Sequence, residues 1–296
     1  MVVLRVGLAA LFLGVASFCM LPLIAAAEVG VSKEAVSFAT ATVIESDKNV
    51  KGELRIPDGD RVPAVVIIHN LGGLHDRTGS AYVEALNQAG FATLELDLFP
   101  RGAPPGTTRG HVAHTYGSLI FLANNPRIDP NRIGVMGFSF GGILSMVTVS
   151  KELTDTYTGG NYRFAAHLPL YPACWAMTAV MEGKIKTYSS SLWQTSTGAP
   201  VHILAGESDD YGPPDMCPKF VQSLPEATRS HVTVTVYPDA KHGWDTFEDR
   251  SYFDNFAANG KGGYVRHHRN SEIAEKSKAF AIEFFKSSMG SMSSLR

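Results

Sequence analysis

The sequence is short of charge of either sign. Only 18% of its 296 residues are charged, the formal net charge is −2, and no stretch forms a basic stripe or an acidic tail. Nucleic acid is therefore not an expected partner. Paired ligand spacings such as H-E-x-x-H and C-x-x-C are absent, as are a P-loop and a dinucleotide fingerprint, so neither a metal nor a cofactor is expected. There is no internal repeat and no low-complexity segment. Cysteine is scarce: Cys19, Cys174 and Cys217 are the three in the chain.

The first 27 residues lack charge almost completely. Arg5 precedes an apolar run from Val6 to Ile24 that ends in Ala25-Ala26-Ala27. A basic start, an apolar stretch and a small-x-small site make a signal peptide, cleaved after Ala27. The alternative is an uncleaved membrane anchor; a lipoprotein reading through Cys19 is weaker, because bulky Phe18 precedes it. Cleavage predicts export to the periplasm or the extracellular space, with residues 28–296 forming one domain. In that oxidising setting Cys174 and Cys217 are either a disulfide pair or two separate buried thiols.

What the remainder does have is alternation. Val36–Ile44 and Val50–Ile56 read as two strands joined by a polar turn. Short apolar runs then follow at Ala64–His69, Phe91–Leu96, Arg132–Gly137, Phe164–Leu170, Val201–Ala205 and Val232–Tyr237. Between them lie amphipathic stretches at Ser80–Ala89, Val112–Ala123, Phe140–Val149, Cys217–Leu224 and Ser271–Phe285. Continuous apolar strands separated by helices predict an α/β fold, doubly wound around a mostly parallel sheet with an antiparallel N-terminal edge. Pro100–Gly110 and Thr154–Asn161 read as irregular, and Cys174–Gly198 as a helix plus a lid or cover.

Chemistry concentrates at Gly137-Phe138-Ser139-Phe140-Gly141. A strand runs into Ser139 and a helix leaves it, the context a G-x-S-x-G nucleophile turn requires, and the flanking glycines let strand and helix approach. A serine hydroxyl needs a base to take its proton, and the base needs a carboxylate to orient it. Candidates follow in the chain order of the α/β-hydrolase fold. Glu207-Ser208-Asp209-Asp210 follows one strand, and Pro238-Asp239-Ala240-Lys241-His242-Gly243 follows the next. His242 is the predicted base. His69 ends an earlier strand, His111 and His114 fall on a helix, and His267 and His268 fall in a polar loop. Asp209 is preferred as the acid, with Asp210 and then Glu207 as alternatives. The backbone N–H groups of Phe140 and Leu71 are the predicted oxyanion donors, Leu71 because His69-Asn70-Leu71-Gly72-Gly73 is similar to an HGGG-type loop. Phe99, Trp175, Trp193 and Tyr211 either line a pocket or pack.

Five ordered blocks together resemble the dienelactone hydrolase family: His69–Leu74, Leu96–Gly102, Asp129–Gly142, Gly206–Asp210 and Tyr237–His242. The resemblance spans roughly residues 50 to 287. It implies an α/β-hydrolase with a Ser139–His242–Asp209 triad and an oxyanion hole at Leu71 and Phe140. It also sets Arg101 where such enzymes grip a substrate carboxylate, a loop that a solvated arginine also suits. Two departures stand out. The dienelactone hydrolases proper use cysteine where this chain has Ser139, and no second arginine matches near Trp244-Asp245-Thr246. The expectation is an exported serine hydrolase acting on small-molecule carboxylic esters or lactones. The alternatives are a binding protein on the same fold and a peptidase or polyester hydrolase with the same triad.

Overall fold

The computed structural model describes residues 30–41, 49–99 and 108–290. The predicted signal peptide, residues 1–27, and Arg101 lie outside the described residues. The sheet comprises β1 (Val31–Ala39), β2 (Asn49–Pro57), β3 (Val62–Ile68), β4 (Ala92–Asp97), β5 (Ile128–Phe138), β6 (Ala166–Leu170), β7 (Val201–Gly206) and β8 (Val232–Tyr237), in the order β1-β2-β4-β3-β5-β6-β7-β8. β1 pairs antiparallel with β2, and β2 antiparallel with β4; every other pairing is parallel. The fold is the expected α/β architecture with an antiparallel edge.

Two helical layers cover the sheet, and β3 shows how one strand feeds both. Because successive side chains alternate in direction, Val65 and Ile67 enter one core while Ala64, Val66 and Ile68 enter the other. The first core is closed by α1 (Ser80–Gln88) and by Ile273, Ala281 and Phe285 of a long C-terminal helix, Ser271–Ser288. The second is closed by α2 (Thr108–Ala123), α3 (Phe140–Val147), α4 (Lys151–Thr158), α5 (Cys174–Met181) and α6 (Met216–Ser223). The short turns α7 (Glu226–Arg229) and α8 (Ala257–Gly260) complete the series, which makes the C-terminal helix α9. Asn270 starts α9 by accepting from the Ile273 N–H at 3.1 Å, a side-chain cap.

Three elements depart from the expected pattern. β1 begins five residues before the predicted Val36, because it is an edge strand exposed along most of its length and no burial imposes an apolar period on it. The segment expected to be irregular, Thr154–Asn161, instead contributes to α4. Ser150 caps that helix by accepting from the Leu153 N–H, and Gly159 ends it in a left-handed conformation at φ 62°. Its buried face carries Thr154, Tyr157 and Thr158, which hid the helix from an apolar-period search; the Thr154 hydroxyl lies 3.0 Å from that of Tyr116. Finally, β9 (Arg250–Asp254) and β10 (Gly263–His267) form an antiparallel hairpin. It contains His267, expected in a polar loop but buried at the end of β10.

Cys174 and Cys217 are joined by a disulfide with their Cα atoms 5.1 Å apart. The bond ties the start of α5 to α6. Among the described residues no helix is long and apolar enough to cross a membrane.

Candidate active site

The site lies at the carboxyl ends of the central strands, the edge at which open α/β sheets present their ligands. β5 delivers the chain into Ser139, whose φ of 52° and ψ of −108° hold a non-glycine residue in strained backbone. Its N–H is held by the Leu170 carbonyl of β6 at 3.0 Å. The flanking glycines are required sterically. A Cβ on Gly137 would come within 2.2 Å of the Gly141 carbonyl, and one on Gly141 within 2.2 Å of the Ile68 carbonyl. α3 is thereby drawn onto β3 and β5, with Ser139 at the apex.

The loop after β8 brings His242 to the serine. Its Nε2 lies 2.8 Å from Ser139 Oγ, and its Nδ1 lies 2.9 Å from Asp209 Oδ2. In the tautomer that satisfies both bonds, Nδ1–H donates to the carboxylate and the serine hydroxyl donates to Nε2. Ser139, His242 and Asp209, predicted from chain order, are thus brought together, with His242 and Asp209 almost wholly buried. The other Asp209 oxygen accepts from the Tyr211 N–H at 2.9 Å, which fixes the carboxylate. The alternative acids are engaged elsewhere. Asp210 binds Arg266 through both its backbone and its guanidinium, and Glu207 accepts from the Asp239 N–H at 3.1 Å.

Aromatic rings enclose the imidazole. Tyr211 and Tyr171 stand 4.4 and 4.9 Å from it, centroid to centroid, and His267 stands at 5.3 Å. Burial, helped by His242 and Arg250, depresses the His267 pKa to about 3, so it faces His242 as a neutral ring. Behind the loop sits Asp245, fully enclosed. It accepts from the hydroxyls of Tyr171 at 2.6 Å and Tyr82 at 2.9 Å. Burial raises its pKa to about 6 although both hydroxyls pull the other way. Sequence reading did not single out Tyr171, Asp245 or His267 as parts of this cluster. The one available signal was position: Tyr171 directly follows β6 and Asp245 lies three residues after His242, whereas nothing local marks His267.

The predicted donors flank the serine. Phe140 is the first residue of α3, so its N–H has no intrahelical acceptor. Leu71 occupies a turn shaped by Asn70, whose Oδ1 accepts from the Gly72 N–H at 2.7 Å and whose carbonyl accepts from the Gly73 N–H at 3.1 Å. Leu71 and Phe140 both line, with Ser139, a cavity of about 280 Å³. The Cys174–Gly198 segment contributes Met177, Val180 and Ile185 to its lining, which also includes Tyr211, Asp254 and Phe256. Of the aromatic residues in question, Tyr211 lines this cavity. Trp175 borders a neighbouring groove and packs on Phe256 with the rings tilted, Trp193 is packed on Phe220, and Phe99 packs on Phe140. No cluster suited to a metal ion occurs among the described residues.

Fold and site define an α/β-hydrolase. Residues 50–289 match the Dienelactone hydrolase family, and the chain belongs to that family and to its class of carboxylic-ester hydrolases. Among solved structures, the dienelactone hydrolase-like promiscuous phosphotriesterase P91 from metagenomic libraries superposes with a TM-score of 0.61 at 17% identity, covering 88% of this chain and 99% of that one. Esterase 2 of Thermogutta terrifontis, phosphorylated by paraoxon, gives 0.59 at 14%, covering 87% and 94%. Est1E from Butyrivibrio proteoclasticus gives 0.55 at 16%, covering 84% and 98%. At these identities the likeness is one of fold. An uncharacterized protein of Pseudomonas aeruginosa is 29% identical over 112 residues, a stretch that spans 35% of this chain and 30% of that protein.

Proposed function

We propose that the chain is a serine hydrolase that cleaves carboxylic esters or lactones through an acyl-enzyme on Ser139. The observation that carries the proposal is the continuous relay from Ser139 Oγ through His242 to Asp209, at 2.8 and 2.9 Å. In the proposed cycle the hydroxyl oxygen attacks the ester carbonyl while His242 Nε2 takes its proton. Asp209 keeps Nδ1 protonated and stabilises the imidazolium that forms. The oxyanion accepts from the N–H groups of Leu71 and Phe140, each worth roughly 2.7–4 kcal/mol in comparable sites. Nε2–H then protonates the departing alkoxide. Water, deprotonated by the same nitrogen, releases the acid and restores Ser139.

Ser139→Ala is expected to abolish hydrolysis of short p-nitrophenyl esters while the circular dichroism spectrum is kept. Turnover unchanged in that variant would refute the proposal. Removing the hydroxyl takes away the nucleophile, whereas a residue with only a structural role would leave turnover and change stability.

We also propose export, with residues 1–27 as the cleaved signal. The apolar segment ending at Ala27 supports it, and the Cys174–Cys217 bond suits an oxidising compartment. The mature chain should begin at Glu28 by N-terminal sequencing of the exported fraction. Recovery only in the cytosol, with Met1 retained, would refute this.

A further inference from the structure

The cavity beside Ser139 is apolar over most of its wall, and one carboxylate interrupts it. Asp254 closes β9 and contributes to the cavity lining, the one Asp, Glu, Lys or Arg among the described residues that line it. Two donors hold it there: the Tyr211 hydroxyl gives to Oδ2 at 2.6 Å, and the Phe256 N–H gives to Oδ1 at 2.8 Å. Burial and the adjacent carboxylate hold the Tyr211 phenol protonated well above its ordinary range, so its hydroxyl remains committed to Asp254. The Tyr211 ring lies against His242, so the same residue connects this charge to the reacting centre. A fixed negative charge in a small, largely apolar chamber acts on any charged group that a substrate carries into it.

We propose that Asp254 sets the charge selectivity of the site. Esters enter whose acyl or alcohol part is apolar and uncharged, or carries an ammonium group, and carboxylate-bearing esters are rejected. The inference rests on Ser139 as nucleophile and adds the substrate class. A compact chamber of this volume is about 8 Å across. Over that distance, at an effective dielectric of about 20–30, Coulomb's law favours a neutral substrate over an anionic one by roughly ten- to thirtyfold.

The experiment compares kcat/KM for isosteric p-nitrophenyl esters whose acyl chains end in methyl, carboxylate or trimethylammonium, in the wild type, Asp254→Asn and Ser139→Ala. In the wild type the carboxylate ester should trail the methyl ester by ten- to thirtyfold, and the trimethylammonium ester should equal or exceed it. Asp254→Asn should bring the three values within a few-fold of one another. A wild type that prefers the carboxylate ester overturns the proposal, and this reading needs no variant to fold. An unchanged ratio in Asp254→Asn overturns it as well. Persistent hydrolysis of the methyl ester in Ser139→Ala would instead refute the nucleophile assignment, so the two failures are distinct.

Discussion

Reducing the Cys174–Cys217 bond should cost the fold about 4 kcal/mol. The bond closes a loop with a sequence separation of 43, and the loop-entropy relation for a cross-link of that span gives roughly 4 kcal/mol at 25 °C. The effect acts mainly on the unfolded chain, which gains freedom when the link is cut. At roughly 2–4 °C per kcal/mol for a domain of this size, the thermal midpoint should fall by about 10 °C. Urea unfolding of the oxidised protein, the reduced protein and a Cys174→Ala/Cys217→Ala variant measures it. The double variant should be no more stable than the reduced protein, because both cysteines are buried and truncation leaves voids in the core. A functional consequence follows from position. α5 starts at Cys174 and supplies Met177 and Val180 to the cavity wall, so reduction should raise KM for an uncharged ester more than it lowers kcat. The reasoning fails if reduction shifts stability by less than about 1 kcal/mol. It fails equally if alkylation of the denatured, unreduced protein labels Cys174 and Cys217.

Three further outcomes are expected. Asp209→Asn should lower kcat roughly ten-thousandfold by spoiling the imidazole tautomer, whereas Asp210→Asn, which loses a partly exposed pair with Arg266, should leave kcat unchanged and cost under about 1 kcal/mol in urea unfolding. Asp245 has a folded pKa of about 6 against 3.8 for the free group, so its contribution is fully present below pH 3.8 and is lost as pH rises through 6, an amount of order 3 kcal/mol. The difference in stability between wild type and Asp245→Asn, followed by urea unfolding from pH 4 to 7, should therefore change in favour of the variant as pH rises; a pH-independent difference would count against a protonated Asp245. Gly141→Ala should destabilise by roughly 2–3 kcal/mol or displace α3, because its Cβ meets the Ile68 carbonyl at 2.2 Å, and loss of esterase activity in a soluble variant reads it out.

Much of this molecule was readable from its residues because the informative positions obey steric or periodic rules. Continuous apolar runs marked the parallel strands, and Gly137 and Gly141 marked the turn because no other residue fits there. Chain order then pointed to His242 and to the aspartate pair, with Asp209 preferred through the family resemblance, and in space Asp209 meets His242 while Asp210 pairs with Arg266. What sequence left hidden was set by long-range contacts. The buried hydroxyls on α4 look polar until Tyr116 is beside them. Asp245 looks like a solvated loop carboxylate until Tyr82, 163 residues away, donates to it. The β9–β10 hairpin is short and mostly exposed, so neither its existence nor its delivery of Asp254 and His267 to the site was visible in any local pattern.

The alternation along β3 carries a consequence for how the molecule tolerates error. Ile68 sends its side chain into one core, and its carbonyl forms the surface against which Gly141 rests. A slip of one residue in this strand would exchange the contents of the two cores and also withdraw the floor beneath the serine turn. Misassembled sheet and working enzyme are therefore mutually exclusive states. Hydrolysis serves as a gauge of strand alignment, able to report a misthreaded population that retains ordinary secondary-structure content.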